Sequence, residues 1–126
     1  MSKKQVIQVP GVKAIGPYSQ AVRSGDLLFV SGQPGVDPVT GEAAGSNFEL
    51  QARQAFRNLD TVLKAGGSRL NLVVNTTVLV AEISNFAELN RFFAEYFPEN
   101  PPARMVMQVP LPKGLLISIG CVAAIE

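Results

Sequence analysis

Histidine is missing from this chain altogether, and with it go the commonest general base near neutral pH and the commonest metal ligand. A lone cysteine, Cys121, excludes an intramolecular disulfide and a cysteine-based zinc site. Tryptophan is absent too. No apolar run approaches the roughly 18 residues a membrane span needs. The longest, 72–81, is interrupted by Asn75, Thr76 and Thr77. Neither charge sign dominates, since 11 Lys and Arg stand against 10 Asp and Glu with no basic run. The concentrated positive face that phosphate backbones require is therefore not visible, and no nucleic-acid partner is expected. Lys3 and Lys4 have no apolar stretch behind them, so no secretory signal is read. These absences predict a soluble cytoplasmic protein with no membrane partner, no metal and no cofactor. Its chemistry is left to Arg, Lys, Tyr, Ser, Thr, carboxylates, backbone groups and water.

What is present is a well-filled core. Hydrophobic residues make up 47% of 126 residues, enough for one domain spanning 1–126. Residues 5–9 alternate and end at Pro10-Gly11, and 18–23 read as a second short strand after the Gly16-Pro17 turn. Residues 27–31 form an apolar strand, and the Pro- and Gly-rich stretch 34–45 a loop or hairpin. Ser46-Asn-Phe-Glu49 matches a capping box that opens a helix. Ala52, Ala55, Phe56, Leu59, Val62 and Leu63 supply its apolar face, and Gly66-Gly67 ends it. The β-branched run 72–81 predicts a central strand. Ser84 or Asn85 then caps a second helix that buries Phe86, Leu89, Phe93 and Phe97 before Pro98 stops it. Residues 103–109 and 115–125 close the chain as strands.

The order β-β-β-α-β-α-β-β gives an α+β fold in which two helices cover one face of a five- or six-stranded sheet. Yet the strands 27–30, 78–81 and 115–125 are apolar on both parities. A solvated second face should be polar at every other position. Self-association over that face is the simplest account.

Four segments carry a family likeness: Ile15-Gly-Pro-Tyr-Ser-Gln-Ala21, Phe29-Val-Ser-Gly-Gln33, Asn100-Pro-Pro-Ala-Arg104 and Leu111-Pro-Lys-Gly114. Together, in register from about residue 5 to the end, they resemble the RidA/YjgF family, also called perchloric-acid-soluble (L-PSP) proteins. The resemblance implies a chorismate-mutase-like fold, with a mixed six-stranded sheet, two helices on one face, and a homotrimer with ligand clefts between subunits. It also implies hydrolysis of reactive 2-imino (enamine) acids to 2-oxo acids and ammonia. On this likeness Arg104 holds the substrate carboxylate, a task that suits a planar guanidinium able to make two parallel bonds. Gly32 brings backbone and an N–H close to the ligand, Ser31 offers a hydroxyl, Tyr18 acts as an aromatic lid, and Asn90 supports the cleft from mid-helix.

Two positions depart from the family pattern. Val106 stands where deaminases commonly carry cysteine. Ser118 stands where they carry the glutamate that activates water. A serine hydroxyl is no base at neutral pH without a helper, and no histidine exists to help it. Glu126 at the C-terminus and Glu42 in the hairpin are the candidate replacements for that carboxylate. Strand parity puts Ser118 and Gly120 on one face, with Ile117, Ile119 and Cys121 on the other, so Cys121 is expected to be buried and inert. The leading reading is an imine deaminase weakened by Ser118, with Arg104 and Ser118 as catalytic residues. The alternative is a non-catalytic trimer that binds small carboxylic acids. A ribonuclease or translation inhibitor ranks last, for want of histidine and of a basic-aromatic strip.

Overall fold

A computed structural model describes residues 3–12 and 16–126; Met1, Ser2 and Ile15, the first residue of one family segment, lie outside the described residues. Eight elements follow the predicted order: β1 (Gln5–Ile7), β2 (Ala21–Ser24), β3 (Leu27–Pro34), α1 (Phe48–Ala65), β4 (Val73–Val80), α2 (Phe86–Tyr96), β5 (Ala103–Gln108) and β6 (Ile117–Ala124). The six strands form one mixed sheet in the order β1-β2-β3-β6-β4-β5. Only β4 and β5 are parallel, as a strand–helix–strand crossover through α2 requires. No helix among the described residues is long and apolar enough to cross a membrane.

Both helices cover the same face of the sheet. Leu28 and Val30 of β3, Ile117, Ile119, Cys121 and Ala123 of β6, and Thr76, Val78 and Val80 of β4 share one parity and are buried beneath them. From α1, Ala52, Ala55, Phe56, Leu59, Val62 and Leu63 all reach this core, as their helical spacing predicts. Phe56 stacks on Tyr96 at 4.3 Å and meets Phe93 and Phe97 edge-on, which locks α1 to α2.

Helix ends show where local chemistry differs from the motif reading. The N-cap of α1 is Asn47, whose Oδ1 accepts from the Leu50 N–H at 2.9 Å, so the Ser46–Glu49 capping box is not the one used. Both residues are good caps, and the register of the buried face at Phe48 and Gln51 decides between them. At the other end Gly67 is left-handed (φ 82°). Ser68 N–H donates to Leu63 O and Gly67 N–H to Lys64 O, the paired bonds of a Schellman motif. In α2 the buried side is Leu89, Phe92 and Phe93, with Phe97 just beyond. Phe86, expected inside, is 38% exposed. The strand expected over 18–23 starts only at Ala21, leaving Tyr18 in the preceding turn.

Two buried amides tie loops to α1. Gln51 Nε2 donates to the carbonyls of Gly45 and Gly114, and its Oε1 accepts from Leu116 N–H at 2.8 Å. Asn58 Nδ2 donates to the carbonyls of Pro34 and Val36. The side-chain amides of Gln51 and Asn58 are buried, and these bonds keep them from being unsatisfied polar groups in the core. The segment leading into β6 and the loop after β3 are thereby held in fixed relation to the helix.

The second face of the sheet is open. Phe29, Leu79, Val122, Met105 and Met107 lie on it among Asn75, Thr77 and Ser118, and Met105 is 59% exposed. The expected apolar character on both parities is therefore observed in a single chain.

Candidate functional site

Arg104 sits on β5, the edge strand beside β4, in register with Thr76. That parity sends its side chain to the helix side, over the outer flank of α2. There Nη1 donates to Asn90 Oδ1 at 2.9 Å. The guanidinium carbon lies 4.8 Å from the Phe93 ring centre and 5.3 Å from that of Phe86. Phe86, Asn90 and Phe93 follow i, i+4, i+7 spacing, which places them on one stripe of α2. Two aromatic faces and one amide oxygen thus fix the plane of the arginine. Among the described residues it has no acidic partner, so its remaining N–H donors face outward with nothing to neutralise the charge.

Asn90, in the middle of α2, is exposed, and its partner is Arg104 itself. Val106, two residues along β5, packs its side chain against the core on this same face. Phe86 and Phe93 were read only as core, and their spacing around Asn90 is the signal that marks them as the seat of the arginine.

The other residues gather elsewhere. Between Val30 and Gln33, β3 advances by three residues while β6 advances by two, from Cys121 to Ile119. This is a β-bulge at Ser31-Gly32, the kind of distortion that re-aims groups beside functional sites. It turns Gly32 toward Ser118, and a Cβ built on Gly32 would stand 2.8 Å from Ser118 Oγ, so a side chain there would require Ser118 to move. Ser118, Gly32, Thr77 and Asn75 line a shallow depression of about 390 Å³ on the open face. Ser31 Oγ donates to Ser19 O at 2.6 Å, so its proton is engaged and it retains only acceptor capacity. Tyr18 is 49% exposed and lines a small cavity with Gln20, Gly32, Gln33 and Asn58.

Within one chain these two groups do not meet. Arg104 is on the helix side of the sheet, and Ser118 is on the open side. Gly32 is three strand spacings from β5, roughly 14 Å. Ser118 also lies three residues along the ladder from Arg104, since it registers with Leu79 and Leu79 with Met107. Any site that uses both halves must take them from different chains.

No substitute carboxylate reaches Ser118 from the C-terminus. Glu126 Oε1 is held by Arg69 Nε at 2.7 Å, eight residues along, roughly 26 Å for extended chain. Among the described residues no cluster of His, Cys, Asp or Glu could hold a metal ion. Cys121 is buried on the helix side as its parity predicts, and burial pushes its thiol up to about 12. It should resist thiol-specific reagents at pH 8 until the protein is unfolded by denaturant; rapid labelling of the folded protein would contradict its placement. From pH 9 toward 12 the unfolded chain loses the thiol proton and the folded chain keeps it, so stability falls in that window. Cys121→Ala should remove that part of the alkaline loss, as read by denaturant midpoints at successive pH values.

Comparison with known proteins bears on these two groups. A family model described as Endoribonuclease L-PSP matches residues 9–125. A RutC family protein of Pyrococcus horikoshii is 44% identical over 112 residues, covering 88% of this chain and 89% of its own. The human 2-iminobutanoate/2-iminopropanoate deaminase is 44% identical over 117 residues, covering 92% of this chain and 84% of that protein. A crystal structure of RidA from an Antarctic Psychrobacter superposes with a TM-score of 0.90 at 41% identity, covering 96% of this chain and 99% of that one.

Proposed function

Because this chain belongs to the RidA/YjgF (endoribonuclease L-PSP) family, we propose that it is an imine deaminase that hydrolyses 2-imino acids at clefts between the subunits of a homotrimer. One observation carries the reading: Arg104 is seated on Phe86, Phe93 and Asn90 with no acidic partner among the described residues. A positioned, unneutralised guanidinium is a receptor for a carboxylate. The open apolar face supports assembly, because monomers rarely leave such a surface to water. Assembly in turn is what lets Arg104 of one subunit face Gly32 and Ser118 of a neighbouring copy.

The chemistry asks little of the protein. With the carboxylate on Arg104, water adds to C2 and the nitrogen takes up a proton. The carbinolamine nitrogen then takes up a second proton from water and leaves as ammonia, while the hydroxyl proton returns to water and the C=O bond forms. Gly32 and the backbone at residue 106 supply hydrogen-bonding groups around the water, and Tyr18 packs on the ligand as a lid. Ser118 positions water but does not deprotonate it. Adding a carboxylate at that position, Ser118→Glu, should speed turnover by about 10²-fold, the low end of what a positioned acid–base group contributes. The measurement couples a serine or threonine dehydratase to an imine trap and follows trapped product with and without the protein.

A second reading is favoured by one specific feature: no carboxylate lines the depression that holds Ser118. The trimer would then bind small acids without turning them over. Unchanged imine lifetime in the trapping assay, together with carboxylate binding in calorimetry, would decide for that reading. Absence of carboxylate binding would remove both.

A further inference from the structure

Next to the Arg104 seat lies a hollow of about 470 Å³, walled by Phe93, Phe97, Pro101 and Pro102 with Ala94 and Arg104 completing it. The volume falls within the range of small-molecule sites, about 300–1,000 Å³. Among the described residues, Arg104 is the only charged one in the lining. Phe93 belongs to both places, since its ring lies 4.8 Å from the guanidinium carbon and also forms part of the hollow's wall. Phe93 and Phe97 are anchored in the core, and the prolines have fixed φ, so the wall stands ready before any ligand arrives.

These observations constrain what an acid held by Arg104 does with the rest of itself. Nη1 is already bonded to Asn90, which leaves the Nε and Nη2 edge for a two-point grip on a carboxylate. Substituents of an acid gripped there have the apolar wall within reach, and nothing in it rewards a polar group. A two-carbon tail leaves most of the hollow to water; a branched or aromatic tail displaces that water.

Building on the reading of Arg104 as carboxylate anchor, we propose that this hollow receives the ligand's side chain. The protein therefore prefers acids with branched-aliphatic or aromatic side chains over the smallest ones. Its substrate class is the imino acids derived from bulky apolar amino acids. Each methylene taken from water is worth roughly a fourfold gain in affinity.

Calorimetry with unreactive acids tests this on the intact protein. 4-Methylpentanoate, three carbons longer than propanoate, should bind at least about tenfold more tightly, and 3-phenylpropanoate likewise. Ala94→Trp, a substitution at an exposed helix position, should fill the hollow and reduce the preference to less than about threefold; its melting temperature shows whether the fold survives. Equal affinities that all vanish in Arg104→Ala would keep the anchor and overturn the hollow, as would a preference that Ala94→Trp leaves intact. A penalty for longer acids would mean that a neighbouring subunit occupies the hollow, and would equally overturn it. If no acid binds at all, the carboxylate-site reading falls and this proposal falls with it.

Discussion

Arg104→Ala should weaken binding of small carboxylates by about 100-fold or more while leaving the melting temperature and the oligomeric state unchanged. The magnitude follows from losing a two-point, charge-assisted contact, in which each bond is worth roughly 1.5–3 kcal/mol. Stability should be spared because the side chain is exposed, makes one hydrogen bond and no ion pair among the described residues, and rests on rings that the core holds without it. Arg104→Lys should recover only part of the loss. A lysine keeps the charge but has neither the plane that stacks on Phe93 nor the fork that grips two oxygens. Calorimetry and sedimentation read the two outcomes separately. Dissociation to monomers would assign the arginine to assembly, and undiminished binding would move the acid site elsewhere.

The largest effect on stability is expected at Phe56. It is fully buried, stacked on Tyr96 at 4.3 Å with the two rings nearly parallel, and flanked edge-on by Phe93 and Phe97. Truncation to alanine leaves a cavity at the junction of the two helices and should cost about 3–5 kcal/mol. Against a total of about 5–15 kcal/mol that is a large share. The melting temperature should fall by roughly 10–20 °C for a chain of this length. Because Phe93 and Phe97 also support the arginine's seat and the hollow, acid binding should weaken along with stability. Phe56→Leu, which refills most of the volume, should cost much less. A fall of under about 1 kcal/mol in Phe56→Ala would show that the four rings do not hold α1 to α2.

Much of this arrangement is legible in the residues themselves. The 3.6-residue period of α1 and the alternation along β6 identify the covered face, down to Cys121 pointing inward. Apolar residues on both parities of β3 and β6 announce the open, sticky face. The failures lie where several local solutions are close in energy. Ser46 and Asn47 are both competent caps, and only tertiary register selects the second. Phe86 and Phe92 both suit a buried stripe, and it is Phe92 that packs against Phe48 of α1 and is buried. The bulge at Ser31-Gly32 leaves no mark in periodicity, because one added residue resets the alternation only locally. The division of the site between faces was hidden for a related reason. Parity assigns Arg104 and Ser118 to faces of their own strands, but only the ladder from β6 through β4 to β5 shows that those faces are opposite.

That division has a genetic corollary. If each cleft draws its arginine from one subunit and its Gly32–Ser118 half from the next, two dead proteins can rescue each other. One carries Arg104→Ala, and the other a bulky residue at Gly32. In the proposed homotrimer, mixed assemblies of the two would each contain a single boundary where an intact arginine meets an intact bulge. Activity should return to about a third of the sites in such hybrids, although neither parent shows any.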